Sequence, residues 1–136
     1  MEDPPAAKYD FLLTITSLFL ILLLTFHLAD DIVRGFEPGK ISNLTAVPLV
    51  VVWLYATLML ARRRSGYIIN LLLSLFSLVV PLIHMSGKGV GAGSRIAGTH
   101  GGFFFVWMLI AIGVAALFSA ILSVHGLWNL PWRRRA

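Results

Sequence analysis

The sequence predicts an all-α integral membrane protein, built as a bundle of four transmembrane helices, and two observations support this fold class. Of the 136 residues, 58% are hydrophobic and 12% are charged, and the mean hydropathy is +0.87. Water-soluble domains carry about 25% charged residues, so this chain has too few to cover a surface that faces water. In addition, four apolar runs are long enough to cross a bilayer core, which takes about 20 helical residues.

The predicted spans follow one another with short connections. The first, residues 11–29, follows an acidic leader and lacks a small-residue cleavage site, so we expect it to remain as a helix rather than act as a signal peptide. The second and third, 44–61 and 66–85, are joined by a very short basic hairpin and must be antiparallel neighbours. The fourth, 102–124, is the longest. No residues remain for a soluble domain, so residues 1–136 are predicted to form one transmembrane domain.

The basic residues predict that both termini are cytoplasmic, in a plasma membrane or a bacterial inner membrane. With the termini on one side, the inner face carries seven lysines and arginines and the outer face carries four. The inner residues are Lys8, Arg62, Arg63, Arg64, Arg133, Arg134 and Arg135, and the outer ones are Arg34, Lys40, Lys88 and Arg95. Because the inner arginine triplets adjoin span ends, we expect them to contact anionic lipid. Basic residues that are confined to short clusters between apolar runs do not indicate a nucleic-acid partner.

Two further features accompany this topology. An aromatic belt is predicted at the inner interface, formed by Tyr9, Tyr67, Trp128 and Trp132. The outer loop at residues 86–102 holds seven of the 12 glycines and cannot be regular helix. The chain has no cysteine, which excludes disulfides and thiolate metal ligands.

Three histidines and two aspartates are expected near the outer face. His27 and Asp31 are four residues apart and share a helix face, and Asp30 is three residues from His27. His84 lies near the outer end of the third span, and His100 just precedes the fourth. Imidazole and carboxylate ligands suit Zn²⁺ or Cu²⁺, so we predict a transition-metal site, with Asp31 as a ligand or as a group that orients a ligand. The predicted metal ligands are His27, Asp31, His84 and His100, and the residues predicted to bind a polar ligand beside them are Asp30, Arg34, Lys88 and Arg95.

Two other interpretations of these residues stay open. In the first, Asp30 or Asp31 pairs with Arg34 and the histidines lie at headgroup depth, as a polar network without a metal. In the second, two of the outer histidines are the axial ligands of a single haem, since the cores of helical bundles readily hold cofactors. A second haem is excluded, because only His125 is available near the inner face.

A polar stripe follows the third span. Its members recur at steps of four and three residues, which places them on one helix face. They are Asn70, Ser74, Ser77, Pro81, His84 and Lys88. The stripe would suit a hydrated path or a lipid headgroup slot, but small and hydroxyl residues at this spacing are more typical of close helix packing. No acidic or basic residue lies deep in a span, which argues against an ion-coupled transporter.

The sequence thus favours a small membrane protein whose extracytoplasmic histidine–aspartate site binds a metal ion or a small polar or lipid headgroup ligand. One alternative is a non-catalytic subunit or scaffold. It would pack against a membrane partner, or a second copy, through Gly113, Ala116 and Ala120 of the fourth span. Another is a lipid-modifying enzyme with Asp31 and His27 as an acid–base pair. A channel would require an oligomer.

Overall fold

The computed structural model describes residues 5–37, 39–86 and 100–130, and the regular elements in these ranges are all helical. Helix α1 covers Pro5–Val33, a 3₁₀ helix at Ile41–Thr45 leads into α2 at Ala46–Leu58, α3 covers Arg64–Ser86, and α4 covers Gly102–Asn129. The described ranges contain four helical segments long and apolar enough to cross a membrane, with the 3₁₀ helix and α2 counted as one. The predicted all-helical architecture with four candidate spans is therefore confirmed.

The surface of the bundle has the character of one that faces lipid. Large apolar side chains are exposed on every helix, including Phe11, Val51, Leu72, Leu82 and Val114. A soluble monomer rarely exposes contiguous apolar patches of more than a few hundred Å². An outer surface of this kind is suited to a bilayer.

The helix ends differ from the predicted bounds. Both α1 and α4 extend beyond their apolar runs, because polar residues at the span ends continue the helix. The turn between α2 and α3 comes earlier than predicted. Arg62 has a φ of 62°, a left-handed conformation that stops a helix and that residues other than glycine adopt uncommonly. A Cβ atom on Gly66 would collide with the Leu60 carbonyl, so glycine permits the tight reversal at this point.

Helix α4 occupies the centre of the packing. It lies against both α1 and α3, whereas α2 lies against α3 and α1 and contacts α4 little. Successive helices are antiparallel, so α1 and α3 end where α4 begins. We call this the histidine end of the bundle, and we call the opposite end, with the turn at residues 59–63, the arginine end. Ala116 and Ala120 are buried within the bundle, so the small residues of α4 pack inside the chain.

Buried hydroxyl groups join three of the helices at mid-depth. The Ser74 hydroxyl of α3 donates to the Ser119 hydroxyl of α4 at 2.8 Å, and Ser119 also lies 3.2 Å from the Ser17 hydroxyl of α1. Ser77 donates to the Leu73 carbonyl at 2.7 Å. Because a membrane interior offers no water to unpaired polar groups, the contacts of Ser119 with Ser74 and Ser17 hold the three helices in a fixed register, whereas the Ser77 bond stays within α3.

Asn70 joins α3 to α2. Its side-chain oxygen accepts hydrogen bonds from the Trp53 indole and the Thr57 hydroxyl, both at 2.9 Å, and its amide donates to the Gly66 carbonyl at 3.0 Å. Asn70 and Trp53 are almost completely buried. Asn70 and Ser74 of the polar stripe therefore bond to other helices, and Ser77 bonds to the backbone of its own helix.

Asn70→Ala is expected to lower the free energy of unfolding by about 2 kcal/mol, because two buried donors lose their acceptor. Reversible unfolding in mixed micelles of a mild detergent and dodecyl sulfate measures this change. Thr57→Val is the matched control, since it removes one donor and leaves Asn70 bonded to Trp53, and it should cost only about 0.6 kcal/mol. Equal losses in the two variants would contradict the role given to Asn70.

Candidate metal centre

Two helices bring three metal-ligating side chains to one point at the histidine end. His27 and Asp31 lie one turn apart on α1, and His84 lies in the last turn of α3. Nε2 of His27 is 3.5 Å from Oδ2 of Asp31, and Nε2 of His84 is also 3.5 Å from that oxygen. One ligand atom from each of the three residues lies within 4.8 Å of the other two. The two imidazole rings meet edge to face, with centroids 4.7 Å apart.

The backbone of α3 fixes how His84 faces this point. Nδ1 of His84 lies 2.9 Å from the Val80 carbonyl oxygen. A carbonyl can only accept a hydrogen bond, so Nδ1 is the donor and Nε2 is the ring atom that faces the carboxylate of Asp31. A proton or a metal ion between Nε2 and Oδ2 would offset the repulsion between their lone pairs.

The α1 side of the cluster has unmet hydrogen-bonding capacity. Within the described ranges, His27 Nδ1, His27 Nε2 and Asp31 Oδ1 are buried and have no hydrogen-bond partner. His27 is 5% exposed and Asp31 is 6% exposed, so lipid headgroups and bulk water reach them little. A buried polar group without a partner costs about 1–3 kcal/mol. The cluster thus has the ligand atoms, and the buried polar atoms without partners, that a cation site would have.

The end of α1 shapes the wall of the cluster. Gly35 has a φ of 75°, the left-handed conformation that ends many helices, and the amide of Phe36 then donates to the Asp31 carbonyl at 2.9 Å. This turn places Phe36 against Phe105 of α4. Phe105 is fully buried, and its ring centroid lies 5.5 Å from that of His27 and 5.9 Å from that of His84. Apolar contacts therefore hold both imidazole rings in place.

Arg34 pairs with Asp30 and not with the neighbouring Asp31. Its Nε donates to Oδ2 of Asp30 at 2.7 Å, and its Nη2 donates to the Gly101 carbonyl at 3.1 Å. The guanidinium also lies 5.7 Å from the centroid of the Phe105 ring. Asp30 is thereby neutralised by Arg34, and Asp31 is left to the two histidines.

The structure brings together three of the four residues that the sequence suggests as metal ligands. His100 is exposed in the turn before α4 and does not belong to the close group found among the described residues. Gly101, with a φ of 83°, redirects the chain between His100 and the helix. Asp30 and Arg34 bind each other, and Lys88 and Arg95 lie outside the described residues.

Phe105 and the Val80 carbonyl were not among the residues that the sequence singled out. Phe105 belongs to a run of three phenylalanines, and nothing in the sequence distinguishes the buried one from Phe103 and Phe104. The role of the Val80 carbonyl depends on the rotamer of His84. Val80 lies one turn before His84, and this helical spacing is the only sequence feature that could have indicated its role.

Comparison with known proteins gives no match to a family model, to a curated protein or to a solved structure. The chemistry of the described residues is therefore the basis for any functional conclusion.

Proposed function

We propose that this chain is an integral membrane protein that binds one divalent transition-metal ion through His27, Asp31 and His84. The observation that carries the proposal is the spacing of 3.5 Å between each histidine Nε2 and one oxygen of Asp31. Ligand atoms at about 2.0–2.1 Å from a tetrahedral ion lie about 3.4 Å from one another. Two imidazoles and a carboxylate are a ligand set that suits Zn²⁺, so zinc is the ion that we expect.

Three protein ligands leave a fourth position on a tetrahedral ion. Asp30 is held by Arg34 and does not supply it. Zinc sites with three protein ligands keep a position for water or for an exogenous ligand, whereas structural zinc sites are closed by four protein ligands. The proposed site is therefore one at which the ion meets a second molecule, such as water or a small anion.

The alternatives fit the geometry less well. Axial histidines bind opposite faces of a haem, and imidazole rings whose centroids are 4.7 Å apart in edge contact leave no room for a macrocycle between them. In the metal-free network, Asp30 or Asp31 pairs with Arg34, and the Asp30–Arg34 pair at 2.7 Å is of that kind. The metal proposal is supported instead by Asp31, which among the described residues has only the two histidines within ion-pair distance, and by the buried atoms of His27 and Asp31 that have no hydrogen-bond partner.

The proposed orientation follows from the excess of basic residues at the arginine end. With that end in the cytoplasm, the metal site opens toward the extracytoplasmic side of a plasma or bacterial inner membrane. The ion would then come from outside the cell or from the periplasm.

The test is metal content, measured by inductively coupled plasma mass spectrometry. The full chain is purified with a tag that contains no histidine and without chelator, then loaded with zinc and dialysed. We expect about one zinc ion per chain, and none above background in a His27→Ala/His84→Ala double variant. His125→Ala is the matched control, since it removes an imidazole at the arginine end and should keep the ion. An unmodified chain that retains no zinc, or equal loss in the His125 control, would overturn the proposal.

A further inference from the structure

A second polar cluster lies at the arginine end, on the opposite side of the bundle from the metal centre. It surrounds a half-open cavity of about 520 Å³ between the start of α1, the start of α3 and the end of α4. The polar residues that line this cavity are Tyr9, Asp10, Arg62, Tyr67, His125 and Asn129. None of them takes part in the metal centre.

The cluster is built around Asp10. Its carboxylate accepts a hydrogen bond from the Tyr67 hydroxyl and pairs with Nε of Arg62 at 3.1 Å. Tyr67 is 6% exposed, and Gly126 lets its ring lie flat against α4, because a Cβ atom there would collide with the ring. Asp10 is thus held from two sides, and its charge is balanced by Arg62.

Arg62 has guanidinium donors beyond the one that is paired with Asp10. Among the described residues, only its Nε has an assigned partner, and the side chain is 67% exposed. Its left-handed backbone, with a φ of 62°, is strained in a residue that is not glycine. Such strain is commonly found at ligand clamps, where the surrounding structure maintains it. Arg62 lines the cavity, so its remaining guanidinium nitrogens are available to a ligand there.

Apart from Asn129, the rest of the cavity is apolar or aromatic. The rings of Tyr9 and His125 are in contact, with centroids 4.2 Å apart, and Leu122 and Leu130 line the wall toward the bundle. A polar mouth with an arginine and an apolar wall together suit an amphiphile. The exposed side chains of Lys8 and Arg63 at the same end add positive charge, while the one aspartate of the cavity is already paired.

We propose that this cavity binds one anionic glycerophospholipid. The planar guanidinium of Arg62 matches the geometry of a phosphate group, and arginine is the residue that most often makes such paired contacts. The glycerol and the first acyl carbons would lie against Leu122 and Leu130. Basic pockets between transmembrane helices are typical binding sites for anionic headgroups, and this one lies at a span end, where lipid phosphates are found. The proposal does not depend on the metal centre.

Native mass spectrometry of the full chain tests the proposal. The detergent-purified protein is incubated with equal amounts of phosphatidylglycerol and phosphatidylcholine that carry the same acyl chains. We expect about fivefold more phosphatidylglycerol than phosphatidylcholine bound, as one arginine contact implies. Arg62→Gly should remove this preference, and it keeps the turn intact because glycine adopts the positive φ without strain.

Arg63→Ala is the matched control. It removes the same charge from the neighbouring residue, whose side chain does not line the cavity, and should preserve the preference. An equal loss of this preference in both variants would mean that diffuse surface charge, and not the cavity, attracts the lipid. That result would overturn the proposal. So would the absence of any preference in the unmodified chain. Excess inorganic phosphate should not displace the bound lipid, and displacement by phosphate alone would identify a free-anion site instead.

Discussion

Zinc at a hundredfold excess over its dissociation constant is expected to raise the free energy of unfolding by about 2.7 kcal/mol. The ion would bind the folded bundle, where His27 and Asp31 on α1 meet His84 on α3, and not the separated helices. Its binding energy therefore adds to the stability of the fold. Thermal unfolding in detergent, followed by circular dichroism with and without zinc, measures the increase.

His84→Gln distinguishes stabilisation by zinc at this site from nonspecific binding of zinc elsewhere. The variant keeps a polar side chain of similar length and removes one imidazole, so zinc should no longer stabilise the bundle. His100→Gln should behave like the unmodified chain, because His100 lies outside the close group. The zinc-dependent part of the stability should also decrease as the pH falls, since protons and zinc compete for the same nitrogens. A zinc effect that survives His84→Gln would contradict the assignment of the ligands.

Gly126→Ala is expected to lower the free energy of unfolding by about 3 kcal/mol. A Cβ atom at this position collides with the Tyr67 ring, and overpacking of this kind costs about 1–3 kcal/mol. If Tyr67 moves to avoid the collision, it gives up its hydrogen bond to Asp10, and a bond to a charged group is worth about 1.5–3 kcal/mol. Reversible unfolding in mixed micelles again provides the measurement.

Gly113→Ala is the matched control on the same helix. A Cβ atom at Gly113 would lie 3.6 Å from Cγ of Pro81, which is an ordinary van der Waals contact. Alanine is also favoured over glycine in a helix by about 1 kcal/mol, so this variant should be neutral or more stable. Similar losses in the two variants would show that α4 does not tolerate alanine for a reason other than Tyr67.

The four spans could be predicted from the sequence because the evidence for each extends over many residues. A run of about 20 apolar residues has few alternatives to a membrane helix, and the described residues contain four helical segments of this kind. The turn between α2 and α3 could not be predicted as well. Its position depends on the left-handed backbone of Arg62, and arginine gives no indication of such a conformation.

The candidate metal centre could be predicted in part. The helical spacing of His27 and Asp31 places them on one face, and His84 was expected at the same depth. We predicted Asp31 as the metal ligand and Asp30 as a residue beside it, although both lie within about one turn of His27. The sequence could not show what Asp30 binds instead, because that depends on packing: Arg34 lies near Phe105 and takes Asp30 as its partner.

The Asp10–Tyr67 pair was missed for a related reason. The two residues are 57 positions apart, and an aromatic residue at a span end is usually interpreted as part of a belt that faces lipid. Tyr67 lies at the expected end of its helix but is buried against α4. Only the glycine at position 126, on a different helix, makes room for it.

The placement of the proposed ligands on α1 and α3 would let the bilayer itself influence the affinity for the metal. These two helices stand diagonally across the bundle and touch each other little, since α4 and α2 lie between them. A bound ion would act as a tie across that diagonal. Lateral pressure in the acyl region, or a membrane of a thickness that tilts the helices, changes the separation of the two helix ends. The same protein would then hold its ion more or less tightly in different membranes, without any change in its ligands.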